Sequence, residues 1–228
     1  MGQRERRDRR PSTRSDDNVS DKVALLEPFS HQVGGHACFL SLEERTLCKP
    51  FTYRESKFYQ SLPAELTSFV PEFRGKLMSC PVNLYGFGVD VVYDEVSGKY
   101  NCYGKYLGRR LTVDGFKQVI KSYFHNGVQF HSVLIDSLIP KLQTLSKILF
   151  CCNGFRFFSS SLLVIYDGDR YNNEVADIDI RMIDFEHSTF PGFKDDPSYD
   201  GPDTGYLKGI ESLISVMRQI QRDAYDAK

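Results

Sequence analysis

Within the stretch Val175-Ala-Asp-Ile-Asp-Ile-Arg-Met-Ile-Asp-Phe-Glu-His187, residues Ala176 to Met182 alternate strictly between apolar and polar side chains. In an extended chain, Ala176, Ile178, Ile180 and Met182 share one face, and Asp177, Asp179 and Arg181 share the other. Carrying the count onward puts Asp184 on the apolar face at the end of the run. An ionised carboxylate there needs a cation, a hydrogen-bond network or a metal to offset its lost hydration. The other reading ends the strand at Ile183 and lets Asp184 cap a turn; alternation alone leaves both open. Phe155 to Tyr166 reads as the partner strand, joined through the turn Asp167-Gly-Asp169, and it sets Ser159, Ser160 and Ser161 directly before the apolar run Leu162 to Ile165. Serines at a strand entrance commonly form turns.

Moving outward, Thr204 onward carries Tyr206, Ile210, Leu213, Ile214, Met217 and Ile220 at helical spacing, which predicts a closing amphipathic helix. Upstream of the strand pair, Leu134, Leu138, Leu142, Leu145 and Ile148 form one helical face, although Pro140 is expected to kink or break it. Leu111 to Phe124 gives a further helical stripe that stops at Asn126-Gly127. Asn83 to Tyr93 and Lys99 to Leu107 read as a hairpin around Asp94 to Gly98. A first hairpin is expected from His31 to Leu40 and Thr46 to Phe51 around the turn Ser41 to Arg45. Arg54 to Leu66 then reads as a helix interrupted by Pro63, followed by the breaker-rich connector Val70 to Gly75. Mixed helices and short antiparallel strands place the chain in the α+β class.

Composition narrows the function classes. Of 228 residues, 41% are hydrophobic and 26% charged, and no apolar run approaches the roughly 18 residues of a membrane-spanning helix. With 29 basic against 30 acidic residues the net charge is -1, so no global field draws the chain to nucleic acid or a membrane surface. Any anion site is therefore local. Cysteines 38, 48, 80, 102, 151 and 152 are scattered and follow no apolar leader, which predicts reduced thiols in an intracellular protein, cytoplasmic or nuclear. Their spacing lacks the C-x-x-C pattern of a structural zinc site. Residues 1–24, with Arg4, Arg6, Arg7, Arg9, Arg10 and Arg14, are expected to be a solvated basic tail, because they offer too little apolar surface to offset ordering.

Taken in order, LEPFSHQVGGHACFL, TLCKPF with RESKFYQSLP, KYLGRRLTVDGF, YFHNG, FRFFSSSLLVIYDG, DIRMIDFEHS and DTGYLKGIESLI resemble the inositol polyphosphate kinases, and among them the inositol hexakisphosphate kinases. The resemblance runs from about Leu26 to Ile220. It implies a protein-kinase-like fold of two lobes: residues 25–76 as a small N-terminal lobe and 77–228 as the large C-terminal lobe. It also implies ATP and Mg2+ as cofactors and an inositol phosphate as substrate, with no nucleic-acid partner. Lys49 matches the small-lobe lysine that contacts ATP phosphates, and Glu55 could pair with it. Ser160 and Ser161 match the Ser-Ser-Leu-Leu motif of the ATP site, and Asp184 matches the Mg2+-binding aspartate of Asp-Phe-Ala-His. Lys105 and Arg109 fall where substrate phosphates would be met, and Val33-Gly-Gly-His36 where a loop would cover the nucleotide.

Two departures stand beside these matches. The family's Pro-x-x-x-Asp-x-Lys-x-Gly motif, which supplies the inositol-facing aspartate and lysine, has no counterpart in this chain, so the catalytic pair is unassigned and the small lobe is truncated. The text passes from Val70-Pro-Glu-Phe-Arg-Gly75 almost directly to Cys80-Pro-Val-Asn-Leu-Tyr-Gly86. Glu186 stands where the family has alanine, adding a carboxylate beside Asp184. The sequence therefore presents an inositol phosphate kinase by resemblance, or an inactive short form or fragment that at most binds partners.

Overall fold

A computed structural model describes residues 26–28, 39–43, 45–75, 90–94, 99–103, 110–125, 130–166, 178–194 and 196–226. In chain order these form β1 (Glu27–Pro28), β2 (Leu40–Glu43), β3 (Thr46–Cys48), α1 (Tyr53–Ser61), a 3-10 helix (Ala64–Phe69), β4 (Asp90–Asp94), β5 (Lys99–Tyr103), α2 (Val113–Tyr123), α3 (Ser132–Cys151), β6 (Ser161–Tyr166), β7 (Ile178–Ile183) and α4 (Thr204–Asp226). The sheets are small and antiparallel: β1-β2-β3, β4-β5 and β6-β7.

Strand β7 obeys its alternation. Ile178, Ile180 and Met182 are fully buried, whereas Asp179 and Arg181 are half-buried on the opposite face. The buried face packs on α3, which also packs on α4, so the core lies between this hairpin and the two long helices. The β6 partner is shorter than expected. Only Ser161–Tyr166 is extended in the sheet; Arg156 instead bridges to Thr189, and Ser159 turns the chain at φ 56°. Phe155 and Phe157 thereby enter the aromatic core instead of a strand face.

Helix α3 runs unbroken through Pro140. A helix-interior proline costs about 3 kcal/mol. Seven residues of α3, from Leu134 to Leu149, are buried, and each such side chain contributes about 1.5–3 kcal/mol, so packing overrides the local penalty. Helix α2 begins where Thr112 caps it, its hydroxyl accepting from the Gly115 N–H at 3.1 Å. Asp203 does the same for α4 through the Tyr206 N–H at 3.0 Å, and its other oxygen accepts from the Phe157 N–H at 2.9 Å. One buried carboxylate thus ties the start of α4 to the approach to β6.

The N-terminal hairpin is tighter than its sequence reading, since β2 extends to Glu43 and β1 adds a third, two-residue strand. Residues 31–38, 104–109 and 167–177 lie outside the described residues. Helix α1 ends before Leu62, whose ψ of 136° suits the residue preceding a proline. Its Phe58 is fully buried, stacks on Phe185 at 4.8 Å, and meets Phe155, Phe157 and Phe190 edge-on. Leu66 of the 3-10 helix is equally buried. Both segments share the core of the C-terminal half.

Candidate functional site

Docking α1 through Phe58 carries Glu55, in the first turn of the same helix, to the end of β7. Lys49 follows β3 directly. Its Nζ donates to Asp184 Oδ1 at 2.7 Å and to Glu55 Oε1 at 3.1 Å, and lies 3.2 Å from Glu186 Oε1. The Lys49–Asp184 contact closes a sequence separation of 135 residues. Glu55 is buried, and the same Oε1 accepts from the Phe185 N–H at 3.0 Å. That carboxylate therefore fixes the lysine and the backbone after Asp184 together.

The electrostatics follow from this geometry. Burial alone lowers the pKa of Lys49, but the hydrogen bond to Asp184 and the charge and hydrogen bond of Glu55 outweigh it and leave the pKa raised. The group is a permanent ammonium at neutral pH. Tyr59, packed edge-on against Phe185 at 5.2 Å, also has a raised pKa, first from burial and then from Glu55 and Asp184. Its hydroxyl stays protonated.

Asp184 realises parts of both sequence readings. The strand does end at Ile183, and Asp184 adopts φ 66°, a left-handed conformation that Asp tolerates better than most residues. Its side chain does not enter the core; it is 44% exposed and meets the cation that its place at the end of the alternating run demands. Ser159 and Asp184 are the non-glycine residues with positive φ among those described, and they stand at the same open end of the β6–β7 hairpin. Pairing of Ser161 with Ile183 sets Ser160 level with Asp184. The Ser160 hydroxyl donates to the Phe157 carbonyl at 2.9 Å, closing the turn, while Ser161 is exposed.

A compact cation beside a half-exposed carboxylate and a strand-end hydroxyl can hold phosphate oxygens and a hard divalent ion. Mg2+ commonly uses one or two carboxylates and takes its remaining ligands from water and phosphates. Among the described residues no group of three or more His, Cys, Asp or Glu side chains could hold a metal ion. The donors thus fit Mg2+ shared with a phosphate ligand and do not form an all-protein cage. An apolar cavity of about 220 Å³, lined by Phe116, Ile120, Phe124, Leu162 and Met217 among others, lies between α2, β6 and α4 and includes none of these groups.

Lys49, Glu55, Asp184 and Glu186 are therefore brought together, with Ser160 and Ser161 at the neighbouring strand entrance. Lys105, Arg109 and Val33 to His36 lie outside the described residues. Two supports escape a reading of the sequence. Asp203 is signalled only by its place before Thr204, as an N-cap. Arg54, which holds Asp196 through Nη2 at 2.9 Å and stacks on Phe193, bridges 142 residues and leaves no local signal.

The sequence model of the family described as inositol polyphosphate kinase matches residues 81–218, more than half of the chain. Inositol hexakisphosphate kinase 1 of Mus musculus is 38% identical over 165 residues, covering 57% of this chain and 38% of that protein. The chain thus spans well under half the length of this relative. Inositol hexakisphosphate kinase 2 of Oryctolagus cuniculus is 34% identical over 409 aligned positions, covering 89% of this chain and 96% of that protein. Among solved structures, inositol phosphate multikinase Ipk2 of S. cerevisiae in complex with ADP and Mn2+ aligns with a TM-score of 0.44 at 24% identity, over 57% of this chain and 55% of that one.

Proposed function

Because this chain belongs to the inositol polyphosphate kinase family, we propose that Lys49, Ser160, Ser161 and Asp184 bind the phosphates of ATP together with Mg2+. The function is that of an ATP-dependent inositol polyphosphate kinase of the inositol hexakisphosphate kinase type, which moves a phosphoryl group from ATP to an inositol phosphate. The observation that supports it most is the 2.7 Å contact of Lys49 with Asp184, which joins the phosphate-binding and metal-binding residues of the family across the chain. In this reading Lys49 takes a phosphate oxygen as a point charge. Asp184 holds the metal, whose charge neutralises the phosphates. The exposed Ser161 hydroxyl supplies a donor at the same edge. Lys105 and Arg109 would face the inositol phosphates, and residues 25–76 and 77–228 would be the two lobes behind the tail 1–24. An intracellular location belongs to the same proposal. No described helix is long and apolar enough to cross a membrane.

A second reading has its own support. The chain as written binds but turns over little, because the Pro-x-x-x-Asp-x-Lys-x-Gly motif has no counterpart in it. An alignment of 409 positions against a chain of 228 residues leaves at least 181 positions of the rabbit relative without a partner here. Phosphoryl transfer depends on positioning and charge stabilisation, so loss of the inositol-facing pair removes most of the rate. The test is turnover of inositol hexakisphosphate with ATP and Mg2+, with Asp184→Asn as control. The second reading expects little or no product from this chain. Robust turnover abolished by Asp184→Asn would overturn the inactive reading, and Asp177 and Asp179 would be the first residues to examine for the missing role.

A further inference from the structure

We propose that Glu186 is an intramolecular tether on Lys49 that an incoming phosphate displaces, so that Glu186 sets the affinity of this site for polyphosphate ligands. The proposal rests on the assignment of Lys49 to phosphate binding given above. An ammonium has three N–H donors, and here three carboxylates surround it: Asp184 at 2.7 Å, Glu55 at 3.1 Å and Glu186 at 3.2 Å. Nζ donates hydrogen bonds to Asp184 and Glu55, and Glu186 stands across its remaining side as an ion pair, so a phosphate oxygen approaching that side meets the Glu186 carboxylate first.

The three are not equally free to leave. Glu55 is buried, and its Oε1 also receives the Phe185 N–H at 3.0 Å, so moving it would strand a buried charge and a backbone donor. Asp184 makes the shortest contact and is aimed by its own left-handed backbone. Glu186 makes the longest contact, its side chain is 32% exposed, and Lys49 is its ion-pair partner among the described residues. Released, it passes into water at small cost.

Charge points the same way. Three carboxylates against one ammonium give the cluster a formal charge of −2, which opposes a polyphosphate. Withdrawal of Glu186 uncovers that side of the ammonium and moves one of these charges away from the arriving ligand. The other two carboxylates keep Lys49 in place while this happens.

The experiment is calorimetric titration of the full chain with ADP and Mg2+, using wild type, Glu186→Gln and Glu186→Asp. Both variants should bind at least about threefold more tightly, since the glutamine loses the charge that competes for Lys49 and the aspartate loses the reach. The aspartate keeps the charge but is one methylene too short to reach. Tightening by Glu186→Gln alone would reduce the effect to a general charge effect and overturn the tether, as would equal affinity in all three proteins. A carbodiimide coupling experiment read by mass spectrometry judges the tether separately. Coupling of Lys49 to Glu186 in the ligand-free chain, suppressed by ADP with Mg2+, supports it; failure to couple in the free chain overturns it. If no form binds ADP, the phosphate-site assignment fails, and the coupling result still decides whether Glu186 occupies Lys49.

Discussion

Replacing Phe58 with alanine should disconnect the helix that delivers Glu55 from the core that delivers Asp184. The ring is fully buried and touches four other phenylalanines: Phe155, Phe157, Phe185 and Phe190. Truncating a buried phenylalanine to alanine costs about 3–5 kcal/mol, the lost transfer energy plus the cavity left behind. Ring pairs contribute about 0.5–1.5 kcal/mol beyond area burial, which places Phe58→Ala toward the upper end of that range. Single-domain stabilities are about 5–15 kcal/mol, so the loss takes a large share of the total. Phe58→Leu refills much of the cavity but loses the ring pairs, so it should cost clearly less than Phe58→Ala. Phe150 on α3 provides the control: it is 66% exposed, and its truncation should change stability by no more than about 0.5 kcal/mol. The chain has no tryptophan, so urea unfolding is best followed by far-ultraviolet circular dichroism. A Phe58→Ala cost under about 1 kcal/mol, or one equal to Phe150→Ala, would refute the anchoring of α1 in the shared core.

Glu55→Gln keeps the shape but removes the charge shared by Lys49 and the Phe185 N–H; it should destabilise the fold by about 1–3 kcal/mol in the same unfolding assay. Alkaline stability gives a signed test. The raised pKa of Lys49 contributes stability that is fully present below its ordinary value of 10.5 and is lost as pH rises through the folded value, so Lys49→Met should flatten part of the decline above that pH. Tyr123 and Tyr206, pushed up to about 12 chiefly by burial, act in the same direction and should titrate late in a spectrophotometric titration of phenolate absorbance. Cys152 is buried with its thiol pushed up to about 11, first by burial, whereas its neighbour Cys151 is exposed; iodoacetamide at neutral pH should label Cys151 and spare Cys152 in the folded chain.

Local patterning makes part of this molecule legible from the amino-acid sequence. The alternation of Ile178, Ile180 and Met182 identifies both the strand and its buried face, and the apolar spacing of Ile210, Ile214, Met217 and Ile220 identifies the closing helix. Pro140 misleads because its penalty is local, while the burial that overrides it comes from partners distant in sequence. Phe155 and Phe157 resemble strand residues because aromatic side chains suit strands; only the bridge of Arg156 to Thr189 and the positive φ of Ser159 divert them into the core. The candidate site divides in the same way. Alternation alone raises the demand of Asp184 for a cation. It cannot name Lys49, since nothing in periodicity links positions 135 residues apart; family resemblance places both in one site. Glu186 is visible as an added charge, but its contact with Lys49 depends on the turn after β7.

In the proposed function Lys49 and Asp184 act together on metal-bound nucleotide phosphates. Equilibrium binding of ADP with and without Mg2+, to wild type, Lys49→Met and Asp184→Asn, tests this most directly. Wild type should bind ADP more tightly with Mg2+ than without, Lys49→Met should weaken binding at least about tenfold under both conditions, and Asp184→Asn should remove the dependence on Mg2+. Binding by both variants with the affinity and metal dependence of wild type would contradict it.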